Sequence, residues 1–176
     1  LMAKNFTKRK KLLVSKAINP QYRQVAKTYA NANSLEFVEI NFDQTGKTDM
    51  KELKQKIGND VAAVFVQSPN FFGCIEDLVV VEKEAHTKEA LFVVAISELV
   101  STGLLKPPGE YNADIVIGDA QSFGIPVSFG GPYAGFIAVN EKLIRNIPGR
   151  LVGETVDVDG KKGYIMTLQA REQHIR

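Results

Sequence analysis

Cysteine, histidine and tryptophan are scarce in this sequence. Its 176 residues include one cysteine, Cys74, two histidines and no tryptophan. A single cysteine excludes an internal disulfide framework, so a reducing compartment fits the chain best. His86 and His174 lie far from Cys74 and from each other in sequence, so we expect no metal site. The G-x-S-x-G segment that carries the nucleophile of many serine hydrolases is also absent.

Long apolar segments and a large net charge are absent too. No apolar run approaches the roughly 18 residues of a transmembrane helix, and no secretory signal opens the sequence. Twenty-two basic residues against twenty acidic ones leave a net charge of +2, which argues against a dedicated nucleic-acid or membrane surface. We interpret the basic cluster within residues 4–16 as a solvated helix end, where the helix dipole favours cations. A cytoplasmic protein with neither nucleic acid nor membrane as partner is therefore expected.

Short apolar runs alternate with helical periods along the chain. The runs predict buried strands over Lys11–Ser15, 35–42, Val61–Gln67 and Leu91–Ile96. Asn19 and Pro20 form an N-cap and first-turn pair. One face of the helix that follows is apolar, and we expect it to pack on the sheet; it consists of Tyr22, Val25, Ala26 and Tyr29.

Two more helices complete an alternating order of strands and helices. One begins at Asp49, with Glu52 in the position of a capping box, and one spans 77–88. This order predicts an α/β domain with a mostly parallel sheet flanked by helices. Within the second helix, His86 is expected to be a surface residue.

The carboxyl ends of parallel strands share one edge of a sheet. The loops at 67–76, 97–111 and 119–135 should therefore converge on one rim, where sites form in such folds. Beyond a further apolar run at 134–139, Asp159-Gly160 separates strand-like segments at 155–158 and 164–168, which predicts a β-hairpin. We expect an α/β portion over residues 1–147 and a hairpin with the start of the next segment over 148–176.

Several motifs resemble one enzyme family. They are DAQSFGIPVSFGGPYAG (119–135), SPNFFGCIEDL (68–78), LLKPPGEY (104–111), PGRLVGET (148–155) and LQAREQHIR (168–176). Together they are similar to the glycine cleavage system P-protein, or glycine dehydrogenase (decarboxylating), and most closely to its N-terminal-half subunit, subunit 1 or alpha. The chain resembles a fragment of that subunit, truncated at both ends.

The resemblance implies a fold and a division of labour. The fold is the large domain of aminotransferase-like, fold-type I pyridoxal-phosphate enzymes, which hold the cofactor as a Schiff base on a lysine. In the family's catalytic half the motif reads H-K-T-F-x-I-P, which places its histidine at Ala120 and its lysine at Gln121. An amide nitrogen cannot form a Schiff base, so we expect no catalytic residue and no bound cofactor in this chain.

The same resemblance implies the partners. Pyridoxal phosphate would be bound by the partner, catalytic subunit 2, in a heterotetramer. The intact enzyme would decarboxylate glycine and pass the aminomethyl group to the lipoyl arm of H-protein. This chain alone would be inactive.

Individual candidates have simpler alternatives. Glu98 lies near the acid that pairs with the cofactor's pyridinium nitrogen, but its longer side chain makes a solvated loop acid the better interpretation. Gly130-Gly131 could cradle a phosphate or only form a tight turn. The possible shared-site residues are Asn70, Arg171, Glu172, His174 and Arg176, and an exposed charged segment is the alternative for the last four. Phe71 and Phe72, beside Asn70, could line the rim or equally well pack in the core.

Two other classes of protein stay open on the sequence alone. One is a self-sufficient pyridoxal-phosphate enzyme, for which Lys106 is the candidate lysine although Pro107-Pro108 predicts a rigid turn there. The other is a nucleotide-binding α/β module without a covalent cofactor.

Overall fold

A six-stranded sheet lies at the centre of a computed structural model, which describes residues 1–168. The strands are β1 (Lys11–Ser15), β2 (Glu36–Ile40), β3 (Val61–Gln67), β4 (Leu91–Ile96), β5 (Ile115–Asp119) and β6 (Gly135–Val139). Their order is β2-β1-β3-β4-β5-β6, with β1 to β5 parallel and β6 antiparallel to β5. The predicted, mostly parallel α/β sheet is confirmed. The hydrophobic pattern did not predict β5.

Three of the predicted strands have the expected bounds, whereas β2 is shorter than 35–42. It ends at Ile40 because Phe42 forms only an isolated bridge, with Thr48. The helices are α1 (Met2–Thr7), α2 (Pro20–Ala32), α3 (Met50–Lys56) and α4 (Leu78–Thr87). No helix among residues 1–168 is both long and apolar enough to cross a membrane.

Local capping sets the starts of these helices. The Asn19 side chain accepts a hydrogen bond from the Gln21 N–H at the start of α2, and Asp49 accepts from the N–H groups of Lys51 and Glu52 at the start of α3. The capping box at α3 is incomplete, because the Glu52 carboxylate accepts from the backbone N–H of Asn41 at 2.6 Å. Glu52 therefore joins α3 to the loop after β2.

Helices cover both faces of the sheet. On one face, α3 and α4 enclose a core that includes Leu13, Leu53, Val64, Val81 and Phe92, all of them at most 1% exposed. On the other face, α1, the end of α2 and a 3₁₀ helix (Glu141–Asn146) contribute Ala3, Ala30 and Leu143 to a second core. The result is a three-layer α/β/α arrangement.

The predicted packing of α2 is wrong. Its apolar face lies largely in solvent, since Tyr22 is 39% exposed, Val25 57% and Tyr29 61%, and Ala26 is exposed as well. The helix instead contacts the sheet through Ala30, which is 2% exposed, and through Arg23, which pairs with Glu39 of β2. At 100° per residue these two positions lie about a quarter turn from the centre of the apolar face.

A buried carboxylate connects elements at the amino edge of the sheet. Asp114 is 1% exposed, and its oxygens accept from the Phe92 N–H, the Asn140 amide and the Lys142 ammonium. His86 Nε2 lies 2.8 Å from Asp114 Oδ2, so the expectation of a simple surface histidine is wrong. Burial alone would raise the pKa of Asp114, but the hydrogen bonds from Lys142, Phe92 and His86 outweigh it and lower the pKa.

A β-hairpin follows the domain, as predicted. Its strands are β7 (Leu151–Val156) and β8 (Lys162–Thr167), which are longer than the sequence pattern indicated. The Asp157 carboxylate accepts from the N–H groups of Asp159 and Lys161, and Gly160 has a φ of 77°, so an Asx-type turn closes the hairpin. The division of the chain between residues 147 and 148 stays a prediction.

Candidate functional site

One buried glutamine joins the loops at the carboxyl edge of the sheet. Gln67, the last residue of β3, is 2% exposed. Its Oε1 accepts from the Asn19 N–H at 2.9 Å, and its Nε2 donates to Pro69 O at 3.1 Å and Ser97 Oγ at 3.2 Å. The loop after β3 therefore meets the loop after β4, as predicted for 67–76 and 97–111, and the loop after β1 joins them at the same rim. The sequence signal for Gln67 was a single amide at the end of an apolar run.

Asn70 shapes the loop after β3. It is 4% exposed, and its Nδ2 donates to Gly46 O and Glu76 Oε1 at 2.8 and 2.9 Å. Its Oδ1 accepts from the N–H groups of Phe72 and Cys74, both at 3.0 Å. The described contacts of this amide thus lie within the rim loops, and a role in a shared site stays a prediction.

A buried glutamate also supports the loop after β3. Glu76 is 6% exposed, and its carboxylate accepts from the backbone N–H and the hydroxyl of Thr48 as well as from Asn70. The Thr48 hydroxyl lies 2.7 Å from Ser15 Oγ at the end of β1. This chain of hydrogen bonds satisfies polar groups that burial would otherwise penalise, and it fixes the loop against β1.

Phe71 and Phe72 belong to the rim surface. They are 52% and 48% exposed, and their rings meet edge to face at 5.8 Å between centroids. The Phe42 ring meets the Phe72 ring edge to face as well, at 4.8 Å. Core packing, which the sequence allowed equally well for these phenylalanines, therefore does not apply.

Glu98 lies two residues after β4 and is exposed. Its carboxylate accepts from the Val100 N–H at 3.2 Å and so caps a 3₁₀ helix (Leu99–Gly103). A hydrogen bond from the Ser122 side chain, together with the Val100 N–H, lowers the pKa of Glu98. The Glu98 carboxylate therefore caps this 3₁₀ helix, and through Ser122 it also links the loop after β4 to the loop after β5.

Gln121 opens a short 3₁₀ helix (Gln121–Phe123) directly after β5. Its backbone N–H donates to Asp119 Oδ1 at 2.7 Å, and its side-chain Nε2 donates to Pro132 O at 3.3 Å. The side chain therefore spans the loop from its first turn to the residues before β6. A loop-bridging amide thus lies at the position where the motif resemblance predicts the lysine of the catalytic half.

The glycine-rich segment forms a tight turn. Gly130 has a φ of 106°, a region that glycine enters without steric cost. The N–H groups of Gly130 and Gly131 both donate to Val127 O, at 2.9 and 3.0 Å. With these amides used inside the turn and Gln121 in place of lysine, the loop does not fit the anchoring of pyridoxal phosphate.

Two tyrosines and an aspartate lie beside this loop. The pKa of Tyr22 is raised by burial, and further by the charge of Asp119 and by Tyr133.

Lys106, the alternative lysine, lies over the Tyr111 ring, with its Nζ 4.9 Å from the ring centroid and 3.6 Å from the Glu110 carboxylate.

The remaining shared-site candidates lie outside the described residues. They are Arg171, Glu172, His174 and Arg176. Within residues 1–168, no group of three or more His, Cys, Asp and Glu side chains is arranged to hold a metal ion.

The fold and the site together define a class of protein. A mostly parallel sheet between helices, with its loops gathered at the carboxyl edge and a hairpin after it, is the large-domain portion of an aminotransferase-like, fold-type I protein. An O-acetylhomoserine (thiol)-lyase structure from Campylobacter jejuni has this fold, with a TM-score of 0.61 at 17% identity over 81% of this chain and 35% of that one.

The chain belongs to the glycine cleavage system P-protein family, whose model matches residues 1–176. A crystal structure of glycine decarboxylase (P-protein) in inhibitor-bound form matches with a TM-score of 0.88 and 44% identity over 97% of this chain and 38% of that one.

Curated relatives carry a more specific name. Probable glycine dehydrogenase (decarboxylating) subunit 1 from Geobacillus kaustophilus is 56% identical over all 176 residues, and that from Moorella thermoacetica is 53% identical. The chain spans 39% of the length of each of these relatives.

Proposed function

We propose that this chain is part of the noncatalytic, cofactor-free subunit of glycine dehydrogenase (decarboxylating). In the intact enzyme, pyridoxal phosphate is held by the partner, catalytic subunit 2, where it serves as the electron sink for glycine decarboxylation. The aminomethyl group then passes to the lipoyl arm of H-protein. This chain contributes structure to the shared site and no covalent chemistry, and it acts in the cytoplasm.

The observation that carries this proposal is Gln121. A lysine amine is the group that forms a Schiff base with pyridoxal phosphate, and the glutamine amide cannot replace it. Gln121 is also engaged elsewhere, through the hydrogen bond from its Nε2 to Pro132 O. Both the chemistry of the side chain and its position favour a subunit that supports a site rather than one that performs the reaction.

The surface of the rim supports pairing with another subunit. The loops after β4 and β5 expose several large apolar side chains: Leu104, Phe123, Val127, Phe129 and Tyr133, each at least 65% exposed. Exposed apolar groups gathered on adjoining loops are typical of protein interfaces. We assign this rim to the contact with the catalytic subunit and to one wall of the channel that admits lipoate.

Polar side chains complete the proposal. Asn70 of the rim and four residues outside the described part of the chain, Arg171, Glu172, His174 and Arg176, are our candidates for residues that reach the shared site. The guanidinium groups of the two arginines suit a carboxylate such as that of glycine, which they can bind with paired hydrogen bonds. Each would act on substrate binding and none on the Schiff base.

A borohydride experiment tests the assignment of the cofactor. The purified chain is incubated with pyridoxal phosphate and reduced, and its peptides are searched by mass spectrometry for pyridoxyl-lysine. We expect no stoichiometric adduct at any lysine, because position 121 carries an amide. The catalytic subunit, treated in the same way, should give one adduct at a single lysine.

Two outcomes would contradict the proposal. A stoichiometric adduct at one lysine of this chain, Lys106 included, would make it a pyridoxal-phosphate enzyme in its own right. Glycine decarboxylation by the subunit-length protein without the catalytic subunit would do the same. In the matched variant Lys106→Arg, a specific adduct at Lys106 would leave the chain unlabelled, whereas random labelling would persist at its other lysines.

A further inference from the structure

Side chains, rather than another strand, contact the outer edge of β2. Within residues 1–168, β2 lies at one end of the sheet and pairs with β1 alone. An edge strand presents a row of unpaired N–H and C=O groups, with which a strand of another molecule can pair. In this chain, neighbouring elements bind several of these groups.

The hydrogen bonds between β1 and β2 show which backbone groups face outward. The Glu36 N–H donates to Lys10 O, and Ile40 O accepts from the Lys16 N–H. Since the bonds of a parallel ladder come from alternate residues of a strand, the even-numbered residues of β2 face β1. The outward N–H and C=O groups belong to the odd-numbered residues, which are Leu35, Phe37, Glu39 and Asn41.

Turns of the chain close the two ends of this edge. The Leu35 N–H donates to Ala30 O at the end of α2, at 2.9 Å, and Asn41 O accepts from the Asp49 N–H at 2.8 Å. Both contacts belong to the segments that lead into and out of β2. The middle of the edge needs partners from elsewhere.

Two side chains of α3 bind the next groups along the edge. The Glu52 carboxylate accepts from the Asn41 N–H at 2.6 Å, and Lys56 Nζ donates to Glu39 O at 3.1 Å. Glu52 and Lys56 lie one helical turn apart and form an ion pair at 2.6 Å. The hydrogen bond from Lys56 lowers the pKa of Glu52, and the Asn41 N–H lowers it further, against the opposing effect of burial.

We propose that Glu52 and Lys56, the capping pair, prevent β2 from pairing with the β2 strand of a second copy of the chain. With the pair in place, and within residues 1–168, only the edge groups around Phe37 and the N–H of Glu39 lack such a contact. Without it, the open edge would extend to the Asn41 N–H along a segment rich in strand-forming residues. The proposal is independent of the function proposed above.

Alanine variants of the full-length subunit that contains this chain test the capping pair. Glu52→Ala with Lys56→Ala removes both contacts to β2 and leaves the net charge unchanged. Lys51→Ala with Gln55→Ala is the matched control, because these exposed residues have the same spacing on the same helix. Sedimentation velocity is measured from low to high micromolar concentration, without and with the catalytic subunit. Hydrogen exchange of peptides that span 36–41 is followed by mass spectrometry under the same conditions.

The expected result is association through β2 that grows with concentration. At the highest concentration, the average mass of the E52A/K56A protein should exceed that of the wild type and of the control by about twofold or more. Its 36–41 peptides should exchange faster than those of the wild type in dilute protein and become protected as the protein associates.

Several results would overturn the proposal. One is an E52A/K56A protein that keeps the mass of the wild type at every concentration. Another is association without protection of the 36–41 peptides, since a different surface would then be paired. Association of the control to the same extent, or association that needs the catalytic subunit, would also contradict the assignment to a second copy.

A milder pair of variants keeps the test decisive if the double substitution perturbs folding. Lys56→Met leaves Glu52 in place and releases only Glu39 O, whereas Lys56→Arg keeps a donor near that carbonyl. The K56M protein should associate at lower concentration than K56R, with stronger protection of the 36–41 peptides. Equal behaviour of the two folded variants would overturn the proposal.

Discussion

Gln67 allows a quantitative test of how the rim is held together. Gln67→Leu keeps the volume of the buried side chain and removes its three hydrogen bonds, to the Asn19 N–H, Pro69 O and Ser97 Oγ. A neutral hydrogen bond contributes about 0.5–1.5 kcal/mol, and a buried group that is left unpaired costs about 1–3 kcal/mol. We therefore expect the free energy of unfolding to fall by about 2–4 kcal/mol.

Urea unfolding of the purified chain, followed by circular dichroism, measures this loss, and hydrogen exchange locates it. Backbone amides of the loops at 68–76 and 97–103 should exchange faster in the variant, while those of β1 and β3 should keep their order of protection. Gln24→Leu, on the exposed side of α2, is the matched control and should change stability by less than about 0.5 kcal/mol. A Gln67→Leu protein with unchanged stability and unchanged loop exchange would refute the role assigned to this side chain.

Two further substitutions test the interior. The depressed pKa of Asp114 means that its stabilisation is present above the unfolded value near 3.9 and is lost as pH falls through the folded pKa. Asp114→Asn should thus lower the free energy of unfolding by about 2–3 kcal/mol at pH 7 and by progressively less below about pH 4. Urea titrations at each pH measure this loss, and a loss that does not change with pH would contradict the reasoning. Gly118→Ala would place a methyl group against the backbone carbonyl oxygen of Ile96 on β4 and 2.6 Å from the Phe136 ring, and it should destabilise the chain by about 1–3 kcal/mol or more. Gly109→Ala, with nothing within 4 Å of the added carbon, should be nearly neutral in thermal unfolding.

The sequence predicted the elements whose causes are local. The bounds of β3 and β4 follow from uninterrupted apolar runs, and α2 begins where Asn19 can cap the N–H group two residues later. The hairpin follows from the Asp159-Gly160 turn between strand-like segments. The glutamine at position 121 is visible in the sequence as well, whereas its assignment to the lysine position of the family motif stays a prediction.

Contacts between distant residues decided what the sequence left open. Periodicity gave α2 an apolar face but could not fix its rotation about its axis, which depends on Arg23 reaching Glu39 across 16 residues. Gln67 became the centre of the rim because it meets Asn19, 48 positions earlier in the chain. In the same way, His86 is not a simple surface residue, because its ring contacts Asp114, which lies 28 residues further along the chain. Caps and turns are selected within a few residues of chain, whereas these partners are brought together only when the sheet has set its strand order and register.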